Sequence, residues 1–339
     1  MATAKGYKRI KFRKSFIYLC DDGTILDNKK ALNRIVKLVI PPNWNNVWIS
    51  AQAKSNLQAY GFDIKGRKQY IYHAQYTAKQ QSEKFDHTQY AGKHLQKLRK
   101  ISTKHLRQDQ WNTDKLCALA FKIMDSTLIR VGNSRYTLEN KSYGLSTLEK
   151  RHVKLNQNSI TLAFTGKKGV FQKKTWVDKR IASYLTELMQ FRGKQLFCVG
   201  KKNTEQVFCG RQLNAYLKEY SEGTLTCKSI RIWGASREAF GLLLQETAAA
   251  DEKQRIRQLN TIIKHVAQKL GNTKTVAQKY YVHPHIQATF LAGQLPHSSK
   301  KLTTKQLEQQ LVQFLQQTTK HKNKPKNAKT LKQTSPIYS

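Results

Sequence analysis

Apolar positions change their period along this chain, and the change divides it in two. Residues 7–19 and 47–49 read as strand, with Asp22-Gly23 marking a turn between them. Asp27 is placed to cap a short helix carrying Leu32, Ile35 and Val36, which must end before Pro41-Pro42. Residues 56–62 and 68–73 read as a hairpin about Ile64-Lys65-Gly66. In the second of these strands Arg67, Gln69 and Ile71 fall on one face and Lys68, Tyr70 and Tyr72 on the other. Basic, amide and aromatic groups on one ribbon suit a DNA groove, although an ordinary exposed strand fits the pattern equally well.

Residues 79–84 are polar and are expected to form a linker. From residue 85 the period becomes helical. Residues 85–101 carry a basic face of Lys93, Lys97, Arg99 and Lys100. A helix capped by Asn112 or Thr113 has the apolar stripe Leu116, Leu119, Ala120, Ile123 and Met124, and it delivers Arg130 at its end. Residues 153–155, 160–164 and 170–177 then alternate as a three-stranded meander, with turns at 156–159 and 166–169.

Helical stretches follow at 179–191, 211–220 and 236–247, the last two bracketing residues 227–234. From Asp251 a further apolar face runs through Ile256, Leu259, Ile263, Val266 and Leu270, and Gly271 stops it. A short pattern holding Val276, Ala277, Tyr280 and Tyr281 comes next, and Pro284 is expected to close it. Adjacent helical residues point about 100° apart, so one tyrosine packs and the other is free to react. Residues 304–317 read as an amphipathic helix with Leu307, Leu311, Phe314 and Leu315. The expected class is α+β: a small β-rich module over 1–78, a linker over 79–84, a larger mainly helical domain with the meander over 85–317, and a lysine-rich, disordered tail over 318–339.

Charge sharpens the picture. Sixty-one Lys and Arg against 21 Asp and Glu give a formal charge of +40 on 339 residues, well beyond what solubility requires. That balance implies a polyanionic partner, and interleaved aromatics favour nucleic acid over a membrane surface. Residues 1–14 are basic without the apolar core of a signal peptide, and no window approaches a bilayer span. The five cysteines form no CxxC pair and read as reduced thiols of an intracellular protein. His283 and His285 flank Pro284 with no partnered Cys or carboxylate motif, so no metal site is expected.

No P-loop, HExxH or magnesium-holding carboxylate cluster is present. Phosphoryl chemistry remains open where side-chain cations replace the metal. The available groups, in order, are Arg130, Lys167, Lys228, Arg231, Asn272 and a tyrosine nine residues later. Each taken singly is more often a surface charge than a catalyst.

Their surroundings resemble one family. Thr127-Leu128-Ile129-Arg130-Val131-Gly132-Asn133, Asn140 to Leu148 and His152-Val153 resemble the signature box of type IB DNA topoisomerases, in their poxvirus-like and bacterial branch. Residues 40–49 and 66–73 resemble that branch's amino-terminal module. Residues 164–167, 228–234 and 270–284 complete the set, so that the likeness covers roughly residues 8 to 290.

The resemblance implies roles. Tyr281 matches the nucleophile that forms a 3′-phosphotyrosyl bond, while Tyr280 stands where the family usually carries a small residue. Arg130 and Arg231 match the arginines that hold the nonbridging oxygens. Lys167 matches the general acid for the leaving 5′-oxygen, with Lys168 its competitor on the same turn. Asn272 takes the place of a histidine or asparagine that donates a neutral hydrogen bond. Lys228 stands where the related tyrosine recombinases usually carry histidine. Arg67, Gln69, Tyr70, Tyr72, Asn133, Tyr136 and Tyr143 match DNA-contacting positions. A monomer would clamp duplex DNA and relax supercoils by strand rotation, with no ATP, metal or other cofactor. A viral member of the family would act in the virion or the virus factory. A site-specific tyrosine recombinase and a non-catalytic architectural DNA-binding protein are the competing readings.

Overall fold

In the computed structural model, which describes residues 5–86, 88–200 and 206–322, the stretch 7–19 is two strands rather than one. β1 (Gly6–Phe12) and β2 (Ser15–Leu19) pair antiparallel about a tight turn at Arg13, whose φ is +51°. Helix α1 (Lys29–Lys37) follows, and its cap is Asn28, not Asp27: the Asn28 Oδ1 accepts from the Ala31 N–H at 3.0 Å. Strands β3 (Asn45–Ser50), β4 (Leu57–Phe62) and β5 (Lys68–Tyr72) complete an antiparallel sheet of order β2-β1-β3-β4-β5. Its inner side chains Val47, Ile49 and Ala59 pack with Leu26 and Ile35 as a small core. Arg9 staples that core, donating to the carbonyls of Pro41 at 2.9 Å and Trp44 at 2.7 Å.

The expected linker is helical. α2 (Ala74–Asp86) runs through residues 79–84, because Ala, Gln, Lys and Glu are good helix formers and no Gly or Pro interrupts them. The chain divides within this helix into two compact units, Met1–Lys84 and Phe85–Ser339.

The second unit is mainly helical. α3 (Thr88–Leu106) precedes α4 (Thr113–Thr127), which is buried almost all round and capped by Asn112. α5 (Ser134–Asn140) leads to the antiparallel sheet β6 (Val153–Asn156), β7 (Ser159–Thr165) and β8 (Phe171–Val177), in that order. α6 (Lys179–Gln190), the short pair β9 (Cys198–Val199) and β10 (Gln206–Val207), and α7 (Gly210–Glu219) follow.

Residues 227–234, set apart from any helix by the sequence pattern, are the first half of α8 (Cys227–Gln245). Thr226 and Ser229 form its capping box. Ile230, Arg231, Ile232 and Trp233 are all buried, so no amphipathic stripe marks the helix. α9 (Glu252–Leu270) ends at Gly271 with φ +62°, as its pattern requires. α10 (Lys274–Tyr280) is capped by Thr273. Pro284 does not simply close that helix: it opens α11 (Pro284–Leu291) at a position where its missing N–H costs nothing.

α12 (Thr304–Lys322) runs five residues further than its apolar pattern. The rest of the expected tail, 323–339, lies outside the described residues. Glu308 fixes α12 from within: buried to 1%, its carboxylate accepts from Arg99, Arg237 and the Trp233 indole. Among the described residues no helix is long and apolar enough to cross a membrane.

Candidate active site

Four elements of the second unit converge at the C-terminal end of α9. Arg130 lies just past α4. Leu128 ends that helix in the left-handed region (φ +54°), and the Arg130 carbonyl then accepts from the Leu145 N–H at 2.7 Å. The Arg130 guanidinium donates to the Gly271 carbonyl at 2.9 Å and to the Asn272 Oδ1. Arg231, one turn into α8 and only 3% exposed, donates to the Leu270 carbonyl at 2.9 Å. Its guanidinium carbon lies 5.2 Å from the centre of the Tyr281 ring.

Burial pushes both guanidinium groups below their ordinary values, and the nearby Tyr281 phenol works in the opposite direction on each. An arginine has ample margin and stays charged at neutral pH.

Tyr281 is half-buried at the C-terminal cap of α10, its N–H bonded to the Ala277 carbonyl at 3.0 Å. Ser236 of α8 holds the backbone there: its hydroxyl donates to the Tyr281 carbonyl at 3.1 Å and accepts from the His283 N–H at 3.0 Å. Tyr280 is 40% exposed and stands beside Lys279. The two tyrosines thus have different surroundings, with the Tyr281 ring against an arginine of this cluster.

Two donors in the cluster, Arg231 Nε and Asn272 Nδ2, are buried without a hydrogen-bond partner among the described residues. An unpaired buried donor is costly, so a pair of them beside two arginines marks a place built for an acceptor such as a phosphate oxygen.

Other expected site residues lie elsewhere. Lys167 is exposed at the β7–β8 turn, beside Lys168 with φ +63°, and no contact joins it to the arginines among the described residues. Lys228 is exposed in the first turn of α8. Asn133 caps α5, accepting from the Arg135 N–H at 3.0 Å, and Tyr136 is exposed on that helix. Tyr143 is half-buried, its hydroxyl between Glu149 and Arg151 and its ring 4.4 Å from that of His152.

Sequence reasoning missed Ser236 and Lys174. Lys174 sits within a lysine pair, yet the alternation of β8 puts it on the inner face with Gln172 and Trp176. Its ammonium donates to the carbonyls of Gln268 and Lys269. Burial, and then the charges of Arg231, Lys269 and Arg130, push it down to about 8.

In the first unit, β5 separates the expected contacts by face. Tyr70 and Tyr72 are exposed and stacked 6.1 Å apart, and Tyr76 continues the row at 5.5 Å from Tyr72. Lys68 reaches over the Tyr60 ring at 4.0 Å. Arg67 and Gln69 both engage Asp63. The Arg67 hydrogen bond leads in holding that carboxyl at about 2. Among the described residues no group of three or more His, Cys, Asp or Glu is placed to hold a metal ion.

Known proteins match this sequence. The family model for the eukaryotic DNA topoisomerase I catalytic core matches residues 73–311, and that for the bacterial DNA topoisomerase IB N-terminal domain matches residues 15–63. A DNA topoisomerase 1B of Acanthamoeba polyphaga mimivirus is 32% identical over 286 residues, covering 82% of this chain and 85% of the relative. The DNA topoisomerase 1B of vaccinia virus (strain Copenhagen) is 21% identical over 58% of this chain and 64% of its own length. DNA topoisomerase 1 of rabbit fibroma virus is 22% identical over 75% of this chain and 76% of its own length. The chain belongs to the type IB DNA topoisomerases, a family of enzymes.

Proposed function

We propose that the chain relaxes supercoiled duplex DNA by cutting and resealing one strand, with Tyr281 as the nucleophile. The observation that carries this reading is the pair of unpartnered buried donors, Arg231 Nε and Asn272 Nδ2, beside Arg130 and the Tyr281 ring. A scissile phosphate entering there accepts from those two donors, while the guanidinium groups stay held on the carbonyls of Leu270 and Gly271.

The Tyr281 hydroxyl attacks phosphorus and loses its proton to solvent. The phosphorus–O5′ bond breaks, and the 5′-oxygen leaves as a hydroxyl with a proton from Lys167, the group assigned this role from the family motif. Arginine forks match the charge that builds on the nonbridging oxygens. The phosphotyrosyl ester conserves the energy of the broken bond, so religation by the 5′-hydroxyl calls for neither ATP nor a metal. Between the two steps the free end swivels about the intact strand.

Lys228 is assigned to the catalytic group from its place in the family motif, and Asn133, Tyr136 and Tyr143 to DNA contact in the second unit. The first unit serves as a DNA-binding module through Arg67, Gln69, Tyr70 and Tyr72, with Lys68 on the same face as the two tyrosines, and the enzyme works as a monomer.

Relaxation of a supercoiled plasmid in excess EDTA without ATP tests the reading. The wild type and Tyr280→Phe should relax the plasmid, and Tyr281→Phe should not. Activity lost only in Tyr280→Phe would move the nucleophile by one residue. No relaxation by the wild type would overturn the proposal.

A further inference from the structure

An α-helix leaves its last four carbonyls without donors from its own backbone, and the negative end of its dipole lies there. At the end of α9 four consecutive carbonyls are met by cations from three different elements. Lys174 of β8 takes that of Lys269 and, at 3.5 Å, that of Gln268, which also accepts from the Gly271 N–H at 3.1 Å. Arg231 of α8 takes Leu270, and Arg130, beyond α4, takes Gly271. The two arginines belong to the site already described, whereas Lys174 touches neither of its orphaned donors.

The approach of β8 to this helix end is close. A Cβ built on Gly271 would lie 2.2 Å from Gln172 Oε1, two residues before Lys174 on the same strand face. The Lys269 side chain is itself engaged, by Glu238 of α8 at 2.7 Å. The last turn of α9 is therefore pinned from one side by α8 and from the other by β8. A lysine beside two arginines is electrostatically unfavourable, and a helix C-terminus is the kind of partner that offsets it.

We propose that Lys174 is a positioning residue for strand cleavage: by clamping the carbonyls of Gln268 and Lys269 it fixes the segment at which Arg231, Arg130 and Asn272 meet. This rests on the reading of the site as a transesterification centre. Lys174 acts on the reaction through α9, not by contact with the phosphate. Without it the α9 end shifts relative to β8, and the two guanidinium groups lose the alignment that the transition state requires. A displacement of about 1 Å is enough to slow a reaction by roughly 100-fold.

The test uses the full chain and a duplex whose cut fragment dissociates, so that the covalent adduct accumulates. Cleavage is followed in a single turnover at saturating enzyme, DNA affinity by fluorescence anisotropy, and folding by thermal melting. K174M should cleave roughly 10- to 100-fold more slowly than wild type with affinity changed by less than about threefold, since the phosphate contacts that dominate affinity are intact. K174R, which keeps charge and donors, should recover most of the rate. If K174M does not fold, K174Q carries the same comparison. Wild-type cleavage by the neutral variant, or a K174R as slow as K174M, would overturn the proposal, as would a loss confined to melting temperature. Absence of any adduct from the wild type would instead overturn the function on which it rests.

Discussion

The side chain of Leu128 fills the space that Gly234 leaves open. A Cβ added at Gly234 would lie 2.2 Å from Leu128 Cδ2, and Leu128 is buried to 1%. Leu128 stands two residues before Arg130, and Gly234 three after Arg231, so this contact sets how closely the backbones carrying the two arginines approach. Gly234→Ala is expected to cost about 1–3 kcal/mol by overpacking, offset in part by a gain of about 1 kcal/mol in helix propensity. Urea unfolding measures the stability loss, and single-turnover cleavage should slow in parallel as the arginines separate.

Arg231→Lys keeps the charge and loses the fork. The ammonium has no counterpart of Nε and cannot contact two oxygens in one plane. Cleavage is expected to slow by roughly 100- to 1000-fold, as for loss of an oxyanion-hole donor. A rate within about threefold of wild type in rapid-quench cleavage would show that charge alone suffices.

Glu308 links α12 to α3 and α8. Burial alone would raise its carboxyl, but hydrogen bonds and charge from Arg99 and Arg237 outweigh this and hold it below the ordinary 4.5. A depressed carboxyl stabilises the fold fully above its unfolded value and loses that contribution as pH falls through the folded one. Acid unfolding followed by circular dichroism should therefore begin below about pH 4.5 in the wild type. Glu308→Ala strands Arg237 in a partly buried site and should cost about 3–5 kcal/mol at neutral pH.

The exposed face of β5 carries both a cation, Lys68, and aromatic rings, Tyr70 and Tyr72, and the proposed DNA contacts of the two kinds differ in salt dependence. Lys68→Ala should lower the slope of log affinity against log salt by about one, because one phosphate contact is lost. Tyr70→Ala should weaken binding with the slope unchanged, since a stacking or groove contact releases no counterion. Titrations at several salt concentrations separate the two outcomes. An unchanged slope in Lys68→Ala would remove that lysine from the phosphate contacts.

Local pattern determined much of this protein. The period-two alternation of β5 placed Tyr70 and Tyr72 opposite Arg67 and Gln69, and the 3.6-residue period of α9 with Gly271 at its end located the turn before Asn272. Both are legible because one face is more buried than the other. Where burial surrounds an element the period vanishes, which is why the first half of α8 around Arg231 escaped notice. Polarity misled at residues 79–84, since good helix formers carried the helix without an apolar stripe.

What the sequence could not contain was the meeting at the end of α9. Lys174, Arg231, Arg130 and Ser236 reach their partners across long stretches of chain. Nothing in a lysine pair on an alternating strand distinguishes the inward lysine bonded to a helix end from its exposed neighbour. That distinction is made only by packing, when β8 comes within reach of the carbonyls at the end of α9.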